Sequence, residues 1–141
     1  MSLPPPEPGL VIRYSYLWHH EHLRKLEEGR KDRPAVIMLV LANHDADSSV
    51  TVLPITHSEP AGGTGIEIPT AVKKHLGLDD LRSWVIVSEG NRFVWPGFDL
   101  RKTEHSGEIH YGFLPPKLFN QIRDAVVLFN KTAKWQMIPR D

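Results

Sequence analysis

Apolar and polar residues alternate in short bursts along much of this chain, a period of two that predicts strands. Leu10 to Trp18 reads as a first strand, with Tyr14, Tyr16 and Trp18 on one face and Val11, Ser15 and Leu17 on the other. Two apolar runs rich in β-branched residues, Ala35 to Ala42 and Val50 to Ile55, flank the turn-forming segment Asn43 to Ser49 and predict a β-hairpin. Ile66 to Ile68 is a further short strand. From Ser83 to Glu89, Trp84, Ile86 and Ser88 alternate with Val85 and Val87, and Arg92 to Trp95 follows as a hairpin partner halted by Pro96-Gly97. Ile109 to Leu114 adds an edge strand.

The helical period surfaces late. Pro69 to His75 is a short helix with proline at its start and Gly77 just past its end. After Pro115-Pro116, Leu118, Ile122, Ala125, Val126 and Phe129 recur at helical spacing and form one apolar stripe. Between these elements lie polar stretches: His19 to Lys31, which is long for a hairpin loop, Ser58 to Gly65 with its Gly62-Gly63 pair, and Phe98 to Gly107. The predicted architecture is mainly β: a small, strongly bent antiparallel sheet or barrel with long loops and a C-terminal amphipathic helix packed on it. Residues 1–8 read as a proline-rich arm, 9–135 as a single domain and 136–141 as a tail.

Composition narrows the function classes. At 141 residues the chain is long enough to bury a core without covalent staples, and with no cysteine it has neither a disulfide framework nor a cysteine-bearing zinc site. The longest apolar run, Ala35 to Ala42, is far too short to span a bilayer, and the N-terminus lacks the basic and apolar regions of a secretion signal, so a cytoplasmic protein with no membrane partner is expected. The formal net charge is zero, which argues against holding nucleic acid by bulk electrostatics. Its distribution is uneven, with residues 10–34 at +2, 35–116 at −4 and 117–141 at +3, which leaves room for a local basic groove.

The candidate chemistry clusters at the ends of the central hairpin. Arg33 stands before Pro34 on the way in, and Thr56 and His57 follow Pro54 on the way out. In an antiparallel pair the start of one strand lies beside the end of the next, so these residues can meet. A guanidinium, a hydroxyl and an imidazole on a rigid sheet are the parts of a phosphate-handling site. His57 suits proton transfer because an imidazole titrates near neutral pH, and a simple loop histidine is the alternative. Glu89 can accept a proton or cap a hairpin. His19, His20, Glu21 and His22 have metal-binding side chains, but no second cluster with ligand spacing accompanies them, so no metal and no cofactor are expected. Trp18, Trp95 and Phe98 border loops, where they would serve either as stacking platforms for unpaired bases or as packing in a core or interface.

The order Lys-Asp-Arg33-Pro34-Ala, an apolar strand, then Leu53-Pro54-Ile55-Thr56-His57 resembles the PemK/MazF-type toxins of bacterial toxin–antitoxin pairs. The segments Gly9 to Tyr16 and Ser83 to Asp99 are similar to that family as well, so the likeness covers most of Gly9 to Phe129. The resemblance implies an SH3-like barrel with a C-terminal helix, a homodimer, and an endoribonuclease that cuts single-stranded RNA and is silenced by a cognate antitoxin peptide or protein. It carries the family's active-site pair onto Arg33 and Thr56, and its acidic position roughly onto Glu89. Family members often lack a histidine directly after the threonine, so the resemblance carries no role onto His57. Trp18, Lys31, Ser58 and Trp95 complete the expected substrate-binding set. Relatives have a shorter glycine-rich first loop where this chain has HHEHLRKLEEGRKD. The alternative function is a non-catalytic small-barrel module that binds peptide or nucleic acid.

Overall fold

The computed structural model describes residues 5–16, 32–42, 48–96, 100–101, 103, 108–132 and 136–139. Within them the chain is mainly β. Nine strands form one sheet: β1 Leu10–Ser15, β2 Asp32–Ala42, β3 Ser48–Thr56, β4 Gly65–Glu67, β5 Trp84–Ile86, β6 Glu89–Trp95, β7 Leu100–Arg101, β8 His110–Phe113 and β9 Gln136–Pro139. The helices are α1, Thr70–Leu76, and α2, Pro116–Thr132. The main path runs β4-β5-β3-β2-β1-β7, with β6 also on β3, β8 also on β1 and β9 on β6. Among the described residues this path has two ends and does not close. Every pairing is antiparallel except β6 with β9.

The predicted hairpin is the centre of the sheet. Strands β2 and β3 pair from Ala35↔Pro54 to Ala42↔Ser48, with a register shift between Ile37 and Leu39. Alternation then sorts side chains to two faces. Val36, Leu53 and Ile55 join Val11, Val85 and Leu114 in one cluster, which Leu76 of α1 and Leu118, Ile122 and Val126 of α2 cover. Ala35, Ile37, Val50 and Val52 join Leu10, Ile12, Tyr14, Tyr16 and Phe93 in a second cluster on the other face. There the sheet folds toward itself: the rings of Tyr14 and Phe93 stack with centroids 5.0 Å apart. Their strands are separated by β2 and β3, and in a flat sheet would stand roughly 14 Å apart.

Pro54 marks a handover. The far edge of β3 pairs with β6 over Ser48 to Val52 and with β5 over Ile55 and Thr56. Proline has no N–H to give, and it sits where no second ladder needs one. This overturns the expectation that Arg92 to Trp95 returns as a hairpin partner of the preceding strand. Both β5 and β6 run antiparallel to β3, so they follow one another along the same neighbour with a break at Val87-Ser88. Val87 is buried there and its N–H donates to the Thr64 carbonyl at 2.8 Å, so the turn-forming residues Ser88 and Gly90 serve an offset within a strand.

Other boundaries follow the sequence signals closely. The first helix begins after Pro69 and ends at Gly77, whose φ of 71° is the left-handed conformation that glycine adopts without strain. In α2 the stripe Leu118, Ile122 and Val126 is buried as expected, while Val127 and Leu128 face outward at 51% and 64% exposure. Two strands were not foreseen. Leu100–Arg101 pairs with Tyr14 and Arg13 inside an expected loop. Residues 136–139, expected as tail, form β9 beside Glu89 to Arg92, with Ile138 fully buried. Among the described residues no helix is long and apolar enough to cross a membrane.

Candidate functional site

The start of β2 and the end of β3 open onto a cleft of about 420 Å³. Asp32, Arg33, Pro34, Ile55 and His57 line it from the hairpin, Arg13 from β1, and Tyr111 from β8. Gly77, Leu78, Asp79 and Ser83, from the segment after α1, close the remaining side. The pairing that joins Ala35 to Pro54 brings these strand ends together, as the hairpin rule anticipates. Pro34, Ile55 and Leu78 supply apolar wall, Tyr111 an aromatic one, and the charged groups gather between them.

His57 is held tightly on one side. Its Nε2–H donates to Asp79 Oδ2 at 2.7 Å, and both side chains are about half exposed, at 48% and 47%. The second oxygen of Asp79 accepts from Lys73 Nζ at 2.8 Å and from the Leu81 N–H at 3.1 Å. Lys73 is buried, on the last turn of α1, and its ammonium also donates to the Leu81 carbonyl. Burial alone would raise the Asp79 carboxyl. The Lys73 hydrogen bond, the charges of His57 and Lys73 and the Leu81 N–H together outweigh it and hold the group below the ordinary carboxylate value.

A second polar cluster lies on the opposite face. The Tyr16 hydroxyl donates to Glu89 Oε2 at 3.0 Å, joining the segment after β1 to the start of β6. Burial pushes the Tyr16 phenol well above its ordinary value, and the charge and hydrogen bond of Glu89 and the nearby Tyr14 push the same way. The positive charge of Arg33 opposes them. Arg33 therefore belongs to both neighbourhoods: it borders the cleft, its Nε is buried, and its charge is felt by Tyr16. Its backbone pairs with that of Tyr14.

The structure brings Arg33 and His57 to one cleft, but places the other expected residues elsewhere. Thr56, between two cleft residues on a strand, does not line the cleft; its Oγ1 accepts from the Ser58 N–H at 3.2 Å and fixes the turn that carries His57. Ser58 itself is exposed. Glu89 sits with Tyr16. Trp95 is half-buried against Phe93, with ring centroids 6.0 Å apart. It stands at the far end of β6, about 20 Å from Glu89 at the usual rise per residue. Trp18, Lys31, Phe98 and the His19, His20, Glu21 and His22 segment lie outside the described residues. Among the described residues no three of the His, Asp and Glu side chains are grouped to hold a metal.

Sequence reasoning missed Arg13, Lys73, Asp79 and Tyr111. A faint signal existed for Asp79: an acidic residue two places after Gly77, the helix stop, sits where an aspartate folds back on the N–H two residues on. Nothing local says that its other oxygen meets His57. No protein-family model matches the chain, and no curated protein matches it.

Proposed function

We propose that this protein is a metal-independent endoribonuclease that cuts single-stranded RNA by attack of a ribose 2′-hydroxyl on the adjacent phosphorus. The observation that carries it is the convergence of Arg33 and His57 on one cleft, with Arg13 on a third strand beside them. Asp32 lies 3.6 Å from Arg101 and Asp79 lies 2.8 Å from Lys73, so each acidic group of the lining has a cation beside it. A volume of about 420 Å³ takes one nucleotide and its phosphate, not a duplex.

In this mechanism His57 takes the 2′-hydroxyl proton as the O2′–P bond forms. The P–O5′ bond breaks, O5′ takes a proton from water, and the products are a 2′,3′-cyclic phosphate and a 5′-hydroxyl. Arg33 meets the phosphorane oxygens with a planar fork of donors that stays charged. Glu89 and Thr56 act from behind the cleft: Glu89 anchors Tyr16 under Arg33, and Thr56 shapes the turn before Ser58. The bent sheet with its covering C-terminal helix fits the SH3-like barrel of the PemK/MazF toxins. Together with the Arg33-Pro34 and Pro54-Ile55-Thr56 motifs it supports a growth-inhibiting toxin that works as a homodimer and is held in check by an antitoxin. Light scattering during size exclusion tests the dimer; a monomer at micromolar concentration counts against it.

The deciding experiment incubates the protein with mixed single-stranded RNA in EDTA and sequences the ends. Cleavage with cyclic phosphate ends, blocked by a 2′-deoxy residue at the cut site, is expected. If RNA binds and stays whole, a non-catalytic binding module is the correct function.

A further inference from the structure

We propose that Asp79 is a positioning residue for His57: it fixes which imidazole nitrogen is basic and aims that nitrogen into the cleft. The inference rests on the ribonuclease activity proposed above for its consequence in turnover, and on geometry alone for its structural half.

The carboxylate is used asymmetrically. Oδ1 is occupied by the Lys73 ammonium and the Leu81 N–H, at 2.8 and 3.1 Å, while Oδ2 takes the His57 Nε2–H at 2.7 Å. Lys73 is 5% exposed and rises from the last turn of α1, so one side of the carboxylate is tied to the folded core. Rotation of Asp79 would break the two hydrogen bonds at Oδ1, and Oδ2 therefore stays presented to the imidazole. An anionic acceptor on Nε2 keeps the proton there and leaves the lone pair on Nδ1. His57 is 48% exposed and lines the cleft, so part of the ring is open to a substrate there. Arg13, Asp32, Arg33 and Tyr111 line the same cleft from β1, β2 and β8.

A surface ion pair between long, mobile side chains has little positional value. This one differs because the histidine and the aspartate are both short and both anchored. The ring follows a strand end closed by the Ser58 N–H bond to Thr56, and the carboxylate is held by a buried lysine and a backbone N–H. Preorganisation of that kind is what a general base requires, since a ring free to turn presents its lone pair only part of the time.

The test pairs a spectroscopic signature with kinetics. Nitrogen-15 shifts of the His57 ring in the full-length protein report its tautomer directly; a proton on Nε2 in the wild type is expected, with a mixture in Asp79→Asn. That variant keeps an oxygen for Lys73 and the Leu81 N–H, and a thermal melt confirms its fold. Its turnover of single-stranded RNA is expected to fall about 10²-fold with KM little changed, the scale of one general base. In a His57→Ala background, Asp79→Asn should cost nothing further, because a residue that acts through another has no effect once that one is gone. A wild-type proton on Nδ1, an unchanged tautomer in Asp79→Asn, or an equal loss of turnover in both backgrounds overturns the proposal. Wild-type protein that cuts no RNA yet shows the expected change of tautomer sinks the ribonuclease activity and supports the positioning role.

Discussion

Two polar clusters flank the central hairpin, and they are built for different work. The Tyr16 and Glu89 pair links residues 73 apart in sequence and lies under the bend of the sheet, with Tyr16 1% exposed. The His57, Asp79 and Lys73 set is assembled over a shorter span and opens on a cleft, with His57 half in solvent. Burial of Tyr16 makes the first cluster stiff and costly to disturb. Exposure makes the second able to meet a ligand, and the buried Lys73 and the Leu81 N–H keep it ordered. Arg33 stands between them: it borders the cleft, and its charge is felt by Tyr16. Some residues hold a site, and others meet what enters it.

The largest expected effect comes from the residue shared by both clusters. Arg33→Ala should lower turnover of a fluorescent single-stranded RNA by about 10²-fold or more, roughly 3 kcal/mol, while RNA binding changes far less. Arg33→Lys should restore little, because an ammonium lacks the fork that spans two phosphate oxygens. If Arg33→Ala remains folded by thermal melt and cuts at the wild-type rate, the cleft is not the reactive site.

Next in size, Tyr16→Phe should cost stability rather than chemistry. Removing the donor to Glu89 should lower the unfolding free energy in urea by about 2 kcal/mol, the scale of a hydrogen bond to a charged group. The same phenol gives a pH dependence. Its folded value lies above the ordinary one, chiefly through burial, so its contribution is intact below the unfolded value of about 10 and is lost as pH rises from there toward the folded value. Tyr16→Phe should flatten that alkaline decline. A variant as stable as wild type but slow to cut RNA would move the Glu89 cluster into the chemistry.

The smallest effect belongs to Thr56. Its hydroxyl accepts one N–H at the exposed turn, so Thr56→Ala should cost less than about 1 kcal/mol in stability and less than tenfold in turnover. A loss as deep as that of Arg33→Ala would place the hydroxyl at the phosphate and not in the turn.

Legibility in the sequence tracked the range of the forces involved. The hairpin, both helices and the buried stripe of α2 were readable because alternation, a proline start and a glycine stop act within a few residues. The step between β5 and β6 was misread, since Ser88 and Gly90 have turn chemistry whether the chain reverses or merely shifts beside β3. The strand β9 was hidden for another reason: Gln136 to Pro139 is too short to show a period, and it exists because β6 offers an open edge.

The site divides the same way. Arg33 and His57 could be brought together from the sequence, because an antiparallel hairpin forces the start of one strand against the end of the next. Asp79 could not be joined to His57, nor Tyr16 to Glu89. Those contacts depend on where α1 delivers its last turn and on how far the sheet bends, and both are set by the packing of Leu76, Ile122 and Phe93 against residues distant in the chain. The sequence by itself determined the strands, the helices and which side chains have suitable chemistry. The tertiary structure alone decided which carboxylate the histidine would face, because short-range propensity has no reach across a bent sheet and burial of the two apolar faces does.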